Sequence, residues 1–216
     1  MLVAVIPAFN EEKTVGDIVQ RTRRYVETVI VVNDGSWDRT SQEATDNGAI
    51  VINHDMNYGV GRAIKTGITR ALQLKATRIL LLDADSQHFP EDIPLFLPEA
   101  EDVIIGTRFG GFTNLSMYKA LLNLVASRLA SWLAKTKVVD SESGFRLHNE
   151  RSIPYLLQFQ SDDYGWATEM IIDLAKAGMT FKYIPIQTAW GIPSRPGQSR
   201  RGFIYGLKVL WRLIRK

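Results

Sequence analysis

The sequence predicts an α/β fold, a mostly parallel sheet flanked by helices. Three observations carry this. Short apolar runs, rich in Val, Ile and Leu, alternate with amphipathic stretches over the first hundred residues. Several of those runs end in Gly, Asn or Asp clusters that lead into the next helical stretch. The chain has 216 residues, 45% of them hydrophobic, enough for one domain with a substantial core.

Taken in order, Leu2 to Ile6 is a strand, followed by the loop Pro7-Ala8-Phe9-Asn10-Glu11-Glu12 and a helix to about Tyr25. Thr28 to Val32 is a second strand, and Asn33-Asp34-Gly35-Ser36 turns it into a helix near Ser41 to Asn47. Ala49 to Asn53 is a third strand. A loop with Asn57, Gly59 and Gly61 then opens a helix running to about Leu74. Thr77 to Leu82 is a fourth strand, whose apolar run Ile79 to Leu82 reads as buried on both faces. Phe89 to Leu97 should be helical, with Pro90 in the first turn. Asp102 to Gly106 is a fifth strand. A long helix is expected over Leu115 to Lys135, a polar loop over Asp140 to Arg146 entering a short strand, a helix over Trp166 to Ala177 and a last strand over Phe181 to Ile186. Strands spaced by helices in this way form right-handed crossover units.

The net charge is +3, and its distribution says more than its size. Residues 195–216 hold seven Arg or Lys and no Asp or Glu, which leaves the first 194 residues at −4. Phe203, Leu207, Leu210 and Ile214 fall on one helical face and Lys208, Arg212 and Arg215 on another. A basic amphipathic helix carrying Trp211 suits an anionic membrane surface. We therefore divide the chain into a domain at 1–200 and a basic C-terminal helix at 201–216. With no cysteine, a disulfide scaffold, a thiolate metal site and a Cys nucleophile are excluded. No basic region precedes the first strand, so no signal peptide is expected, and no apolar stretch approaches the 18 or so residues that cross a bilayer. No nucleic-acid-binding motif is present.

The stretch Leu82-Asp83-Ala84-Asp85-Ser86-Gln87-His88 brings two carboxylates to the C-terminal end of a strand, the edge where open α/β sheets bind ligands. Two acids there repel unless a cation lies between them, and oxygen ligands suit Mg²⁺ or Mn²⁺. Taken singly, Asp-x-Asp is as readily a solvated strand end. Three further loops reach the same edge, carrying Pro7, Phe9 and Glu11; Asp34; and Asn57, Gly59, Gly61, Arg62 and Lys65. An aromatic side chain, an acid that accepts from a base N–H, and cations at a helix N-terminus are what a nucleoside diphosphate requires. The dinucleotide motif Gly-x-Gly-x-x-Gly fails at Ile64, and the P-loop motif is absent.

Together these motifs resemble the inverting family 2 glycosyltransferases of GT-A (Rossmann-like) fold. The residues concerned are Ile6-Pro7-Ala8-Phe9-Asn10-Glu11, Asn33-Asp34-Gly35-Ser36-x-Asp38-x-Thr40, Asn57-x-Gly59-x-Gly61-x-Ala63, Asp83-Ala84-Asp85-x-Gln87-His88-x-Pro90-Glu91, Gly106-Thr107-Arg108, Ser143-Gly144-Phe145-Arg146 and Gly197-Gln198-Ser199-Arg200. Within the family, the dolichyl-phosphate mannosyltransferases and other polyprenyl-phosphate glycosyltransferases are most similar. The resemblance implies that Pro7, Phe9, Glu11, Val32, Asp34, Ala84 and Asp85 hold the nucleotide-sugar, and that Asp83, Asp85 and Gln87 hold Mg²⁺ or Mn²⁺. It implies Arg108 and Lys119 at an acceptor phosphate, joined by Arg195 and Arg200. Asp85, Arg108 and Glu169 are the catalytic candidates, Glu169 as a base if the acceptor is a hydroxyl and otherwise as a solvated helix residue. The sequence departs from the family pattern at Ser194, where Arg is usual and an Arg follows one place later, and at Arg200, which stands for Lys.

The function implied is metal-dependent, inverting transfer of a sugar, mannose from GDP-mannose first, onto a polyprenyl or dolichyl phosphate. The alternatives are a UDP-glucose donor, a soluble acceptor, or a non-catalytic nucleotide-sugar binding module. The implied setting is cytoplasmic, peripheral on a membrane face through the C-terminal helix. A separate membrane subunit is a partner the resemblance allows.

Overall fold

The computed structural model describes residues 1–107 and 127–187. Along them run β1 (Leu2–Ala8), α1 (Val15–Thr22), β2 (Thr28–Asn33), α2 (Thr40–Asp46), β3 (Ile50–Asn53), α3 (Val60–Gln73), β4 (Arg78–Leu81), α4 (Ile93–Phe96), β5 (Val103–Thr107), a helical stretch at 127–134 (α5), β6 (Arg146–Asn149), α6 (Trp166–Lys176) and β7 (Phe181–Pro185). The long helix expected over Leu115 to Lys135 is described only from residue 127, and the basic C-terminal helix lies outside the described residues.

The seven strands form one sheet in the order β3-β2-β1-β4-β6-β5-β7. The pairings of β1 with β2 and β4, of β2 with β3, and of β5 with β7 are parallel. Strand β6 runs antiparallel between β4 and β5. Its direction was not legible beforehand, because Arg-Leu-His-Asn has one apolar residue and no run to read.

Alternation along the strands fills both faces. Val3, Val5, Ile30, Val32, Ile79 and Leu81 pack on one side under Ile64 and Ile68 of α3 and Met170 and Leu174 of α6. Ala4, Ile6, Val29, Val31, Leu80 and Leu147 pack on the other, against Ile18 and Val19 of α1 and Phe96 of α4. A strand covered on both faces must be apolar at successive positions, which is why the parallel strands stand out as unbroken runs.

Two expected helices are shorter than the pattern suggests. The first ends at Thr22, three residues before Tyr25. The stretch expected as one helix from Phe89 is a 3₁₀ turn, Pro90–Asp92, followed by the single turn of α4. Pro90 and Pro94 each occupy a first-turn position of their own piece, where a missing N–H costs nothing.

Candidate active site

Because β1, β2 and β4 are parallel, their C-terminal ends share one edge. Ala8 pairs with Asn33, and Val5 with Leu81, so Phe9, Asp34 and Asp83 leave the sheet there. Strand β3 ends beside β2 with Asn53 paired to Asn33. Strand β6, being antiparallel, begins at this edge, with Arg146 opposite Leu81. The loop before β6 therefore arrives beside Asp83.

The β1–α1 and β2–α2 loops are knitted to each other. Asn10 N–H donates to Ser36 Oγ (2.8 Å), Glu11 N–H to Thr40 Oγ1 (2.7 Å) and Glu12 N–H to Asp38 Oδ2 (3.2 Å). In return Trp37 N–H donates to Asn10 Oδ1 (3.1 Å), and the Trp37 ring stands edge-on to Phe9 at 5.4 Å. Side chains here satisfy main-chain groups that a sheet edge leaves over. Phe9 and Glu11 are half-buried, and Pro7 sits in β1 opposite Val32. Val32 itself is a core residue: its side chain is fully buried on the α3 side, so its main chain alone could meet a nucleoside. Ala84 is buried on the opposite face.

Asp34 is nearly fully buried and well used. Its carboxylate accepts from Tyr58 N–H (3.0 Å), Gly59 N–H (2.8 Å) and the His54 ring at Nδ1 (2.7 Å). A carboxylate offers about four acceptor positions. Three are thus occupied, and one remains.

Several donors at the start of α3 already have partners within the chain. Gly61 N–H donates to the Asp162 carbonyl (2.9 Å), and the first loop amides go to Asp34. Lys65 lies 3.5 Å and Arg62 3.9 Å from the Asp162 carboxylate, so both cations have a carboxylate neighbour. Gly59, at φ 101°, sits where a side chain would strike the Asp162 carbonyl. The glycines of this loop thus admit the 161–162 backbone.

Asp83 and Asp85 come together as the sequence suggests. Burial raises the Asp85 pKa, and the Asp83 charge raises it further. Gln87 N–H bonds back to Asp85 Oδ1 (3.0 Å) over Ser86, whose φ of 60° makes the tight turn. A half-buried carboxylate pair of this kind gains from a bound cation, so the donor set fits Mg²⁺ or Mn²⁺. No group of three His, Cys, Asp or Glu that could hold a metal occurs among the described residues. Diphosphate oxygens, water and the Gln87 amide would complete a shell, in the manner usual for Mg²⁺.

Several residues that the sequence analysis quotes only as parts of motifs, with no role of their own, shape this site. Gly144 abuts the Asp83 carboxylate so closely that a Cβ would collide with both oxygens. His88, buried against Phe145, places Nδ1 3.5 Å from Asp83 Oδ2. Arg146 is fully buried and donates to the carbonyls of Ser143 (2.7 Å), Ala167 (2.9 Å) and Ser141 (3.0 Å), under the Trp166 ring at 5.0 Å. It anchors the loop that carries Gly144. Glycine and arginine in sequence at 144–146 were the available signal.

Glu169 is not a solvated residue. It is 2% exposed, and one carboxylate oxygen accepts from Ser161 N–H (2.9 Å) and Ser161 Oγ–H (2.6 Å). The acid fixes the segment that docks on Gly61. Arg108, which directly follows β5, and Lys119, Arg195 and Arg200 lie outside the described residues.

The glycosyl transferase family 2 model matches residues 3–164. An uncharacterized protein of Methanocaldococcus jannaschii is 33% identical over an alignment covering 99% of this chain and 90% of that protein. A UDP-N-acetylglucosamine–dolichyl-phosphate N-acetylglucosaminyltransferase of Methanococcus voltae is 28% identical over 99% of this chain and 95% of that protein. Glucosyl-3-phosphoglycerate synthase of Mycobacterium tuberculosis, solved with Mn²⁺, uridine diphosphate and phosphoglyceric acid, superposes with a TM-score of 0.74 over 97% of this chain and 78% of that one, at 18% identity. That likeness shows the fold, which is GT-A-like.

Proposed function

The chain belongs to glycosyl transferase family 2, and on that premise we propose that it moves a sugar from a nucleoside diphosphate onto a polyprenyl phosphate, using a divalent metal. The observation that carries this is the sheet edge itself, where the Asp83–Asp85 pair stands with Asp34 and its one remaining acceptor position. That acceptor suits a base with a ring N–H. Uracil and guanine have one; cytosine and adenine offer instead an exocyclic amine, from which a carboxylate also accepts. The sequence resemblance favours GDP-mannose, while the Methanococcus voltae relative is named for a UDP-sugar.

The nucleoside would lie against Phe9, beside Pro7 and Glu11, with Asp34 on the base. Asp83, Asp85 and Gln87 would hold the metal, which stabilises charge on the departing diphosphate. The acceptor attacks the anomeric carbon from the opposite face, its oxygen forming the new glycosidic bond as the bond to the nucleoside diphosphate breaks with inversion. A lipid monophosphate has a second pKa near 6 and is already anionic at pH 7, so it requires no protein base. The burial of Glu169 against Ser161 supports such an acceptor over a hydroxyl. Arg108, Lys119, Arg195 and Arg200 would hold the acceptor phosphate by charge-assisted hydrogen bonds. No helix among the described residues is long and apolar enough to cross a membrane. The basic 201–216 segment would bring the site to a lipid surface, where each basic residue contributes about 1 kcal/mol.

The test is a transfer assay with polyprenyl phosphate, Mg²⁺ or Mn²⁺, and GDP-mannose, UDP-glucose or UDP-N-acetylglucosamine in parallel. Glycolipid formed with one donor and abolished by chelator is the expected result. Transfer to water or a soluble alcohol alone, with none to the lipid phosphate, would refute the acceptor.

A further inference from the structure

His54 is used by neither the fold's core nor the reaction as described, yet it makes the shortest side-chain contact to Asp34. It follows the last residue of β3 as Asp34 follows the last residue of β2, and the Asn33–Asn53 pairing sets the two side by side. Its Nδ1 lies 2.7 Å from Asp34 Oδ1, and its Nε2 3.0 Å from Thr66 Oγ1 in the second turn of α3. The imidazole edge meets the Tyr58 ring at 5.4 Å. A carboxylate only accepts, so Nδ1 carries the hydrogen. In the neutral ring, Nε2 then accepts the Thr66 hydroxyl. One partly buried relay therefore joins the ends of β2 and β3 to α3, and it ends on the buried carboxylate of Asp34.

Resting on the donor-site reading above, we propose that His54 is a positioning residue for nucleobase recognition. Through its hydrogen bond it holds Asp34 in the one orientation that satisfies Tyr58 and Gly59 N–H and still leaves an acceptor position for the base. Without it, a carboxylate removed from water loses a charge-assisted partner and turns toward other donors. The nucleobase then loses its site, while the diphosphate end, held around Asp83 and Asp85, does not.

Isothermal titration of the full chain with UDP, GDP and inorganic pyrophosphate, each with Mg²⁺, separates these ends. His54→Leu should weaken the preferred nucleotide at least tenfold and pyrophosphate less than twofold, with the donor KM raised and kcat within about threefold of wild type. His54→Asn, which can keep an N–H near Nδ1, should recover most of the affinity. Thr66→Val should give an intermediate loss. Nucleotide affinity in a folded His54→Leu equal to wild type overturns the proposal, and so does an equal loss for nucleotide and pyrophosphate. Should His54→Leu fail to fold, Thr66→Val decides: unchanged nucleotide affinity overturns the relay. Wild-type protein that binds pyrophosphate but neither nucleotide overturns the donor-site reading, and the role of His54 with it.

Discussion

Around β1, β2 and β4 the space between sheet and helices is filled by aliphatic side chains on both faces, and polar groups begin only where the strands end. Around β6 the interior is different. Arg146 and His148 are fully buried on the same face of the strand, with Asp140, Ser141 and Ser143 buried in the approach to it. The first region is held by the hydrophobic effect and tolerates local error as lost area. The second is held through the three hydrogen bonds of Arg146, while both ring nitrogens of His148 and the hydroxyls of Ser141 and Ser143 are buried without a partner among the described residues; an unmet group there costs more than its bond is worth. The acids of the site lie on the border between the two. The candidate site is thus built from a rigid apolar frame and a polar brace that pins Gly144 and, through it, Asp83.

The largest effect should come from that border. Asp85→Asn is expected to lower transfer on the order of 10³-fold, the scale of charge stabilisation that a metal ligand supports. It should also raise the Tm of the metal-free protein, because burial and Asp83 disfavour the Asp85 charge. Lost activity with an unchanged or lower Tm would mean the pair carries no such tension. Next, Arg146→Met strips donors from three carbonyls and should cost about 3 kcal/mol or more in urea unfolding. A near-neutral result would show that the polar brace packs as well when apolar, as some buried charges do.

Gly144→Ala probes the contact between the regions. It should displace the Asp83 carboxylate and reduce kcat/KM about 10–100-fold with little change in Tm. An equal fall in stability would place the fault in the loop and not at the acid. The smallest effect is one of pH. His148 is fully buried, and burial together with the Arg146 charge pushes its pKa down to about 3. Below about pH 6.5 the unfolded chain takes up a proton that the folded chain refuses, so stability falls as the pH drops toward 3. By pH 5 this costs about 2 kcal/mol. Urea unfolding at pH 7 and pH 5 should show His148→Leu losing less over that interval than wild type.

The fold was legible where the chemistry is local. Apolar runs of three to five residues marked most of the parallel strands, and Asp-x-Asp after one of them marked the edge. Asn-Asp-Gly-Ser after another marked a loop on the same edge. Two readings of single residues acquire neighbours that the sequence did not show. Arg62 and Lys65 look like diphosphate cations in sequence, yet Asp162, nearly a hundred residues on, lies within 4 Å of both. Glu169 looks like a base or a surface acid; it is buried, and one of its carboxylate oxygens accepts twice from Ser161.

By itself the sequence determined the α/β class, the order of the strands along the chain, and which loops carry acids, because side-chain period and turn chemistry act over a few residues. It also carried the family, through motifs kept in order. Only the tertiary structure decided that β6 enters antiparallel, that His54 meets Asp34, and that Gly144 meets Asp83. Those are pairings between groups 20 to 71 residues apart, fixed by sheet register and by the need of buried polar groups for partners, and no local pattern encodes them.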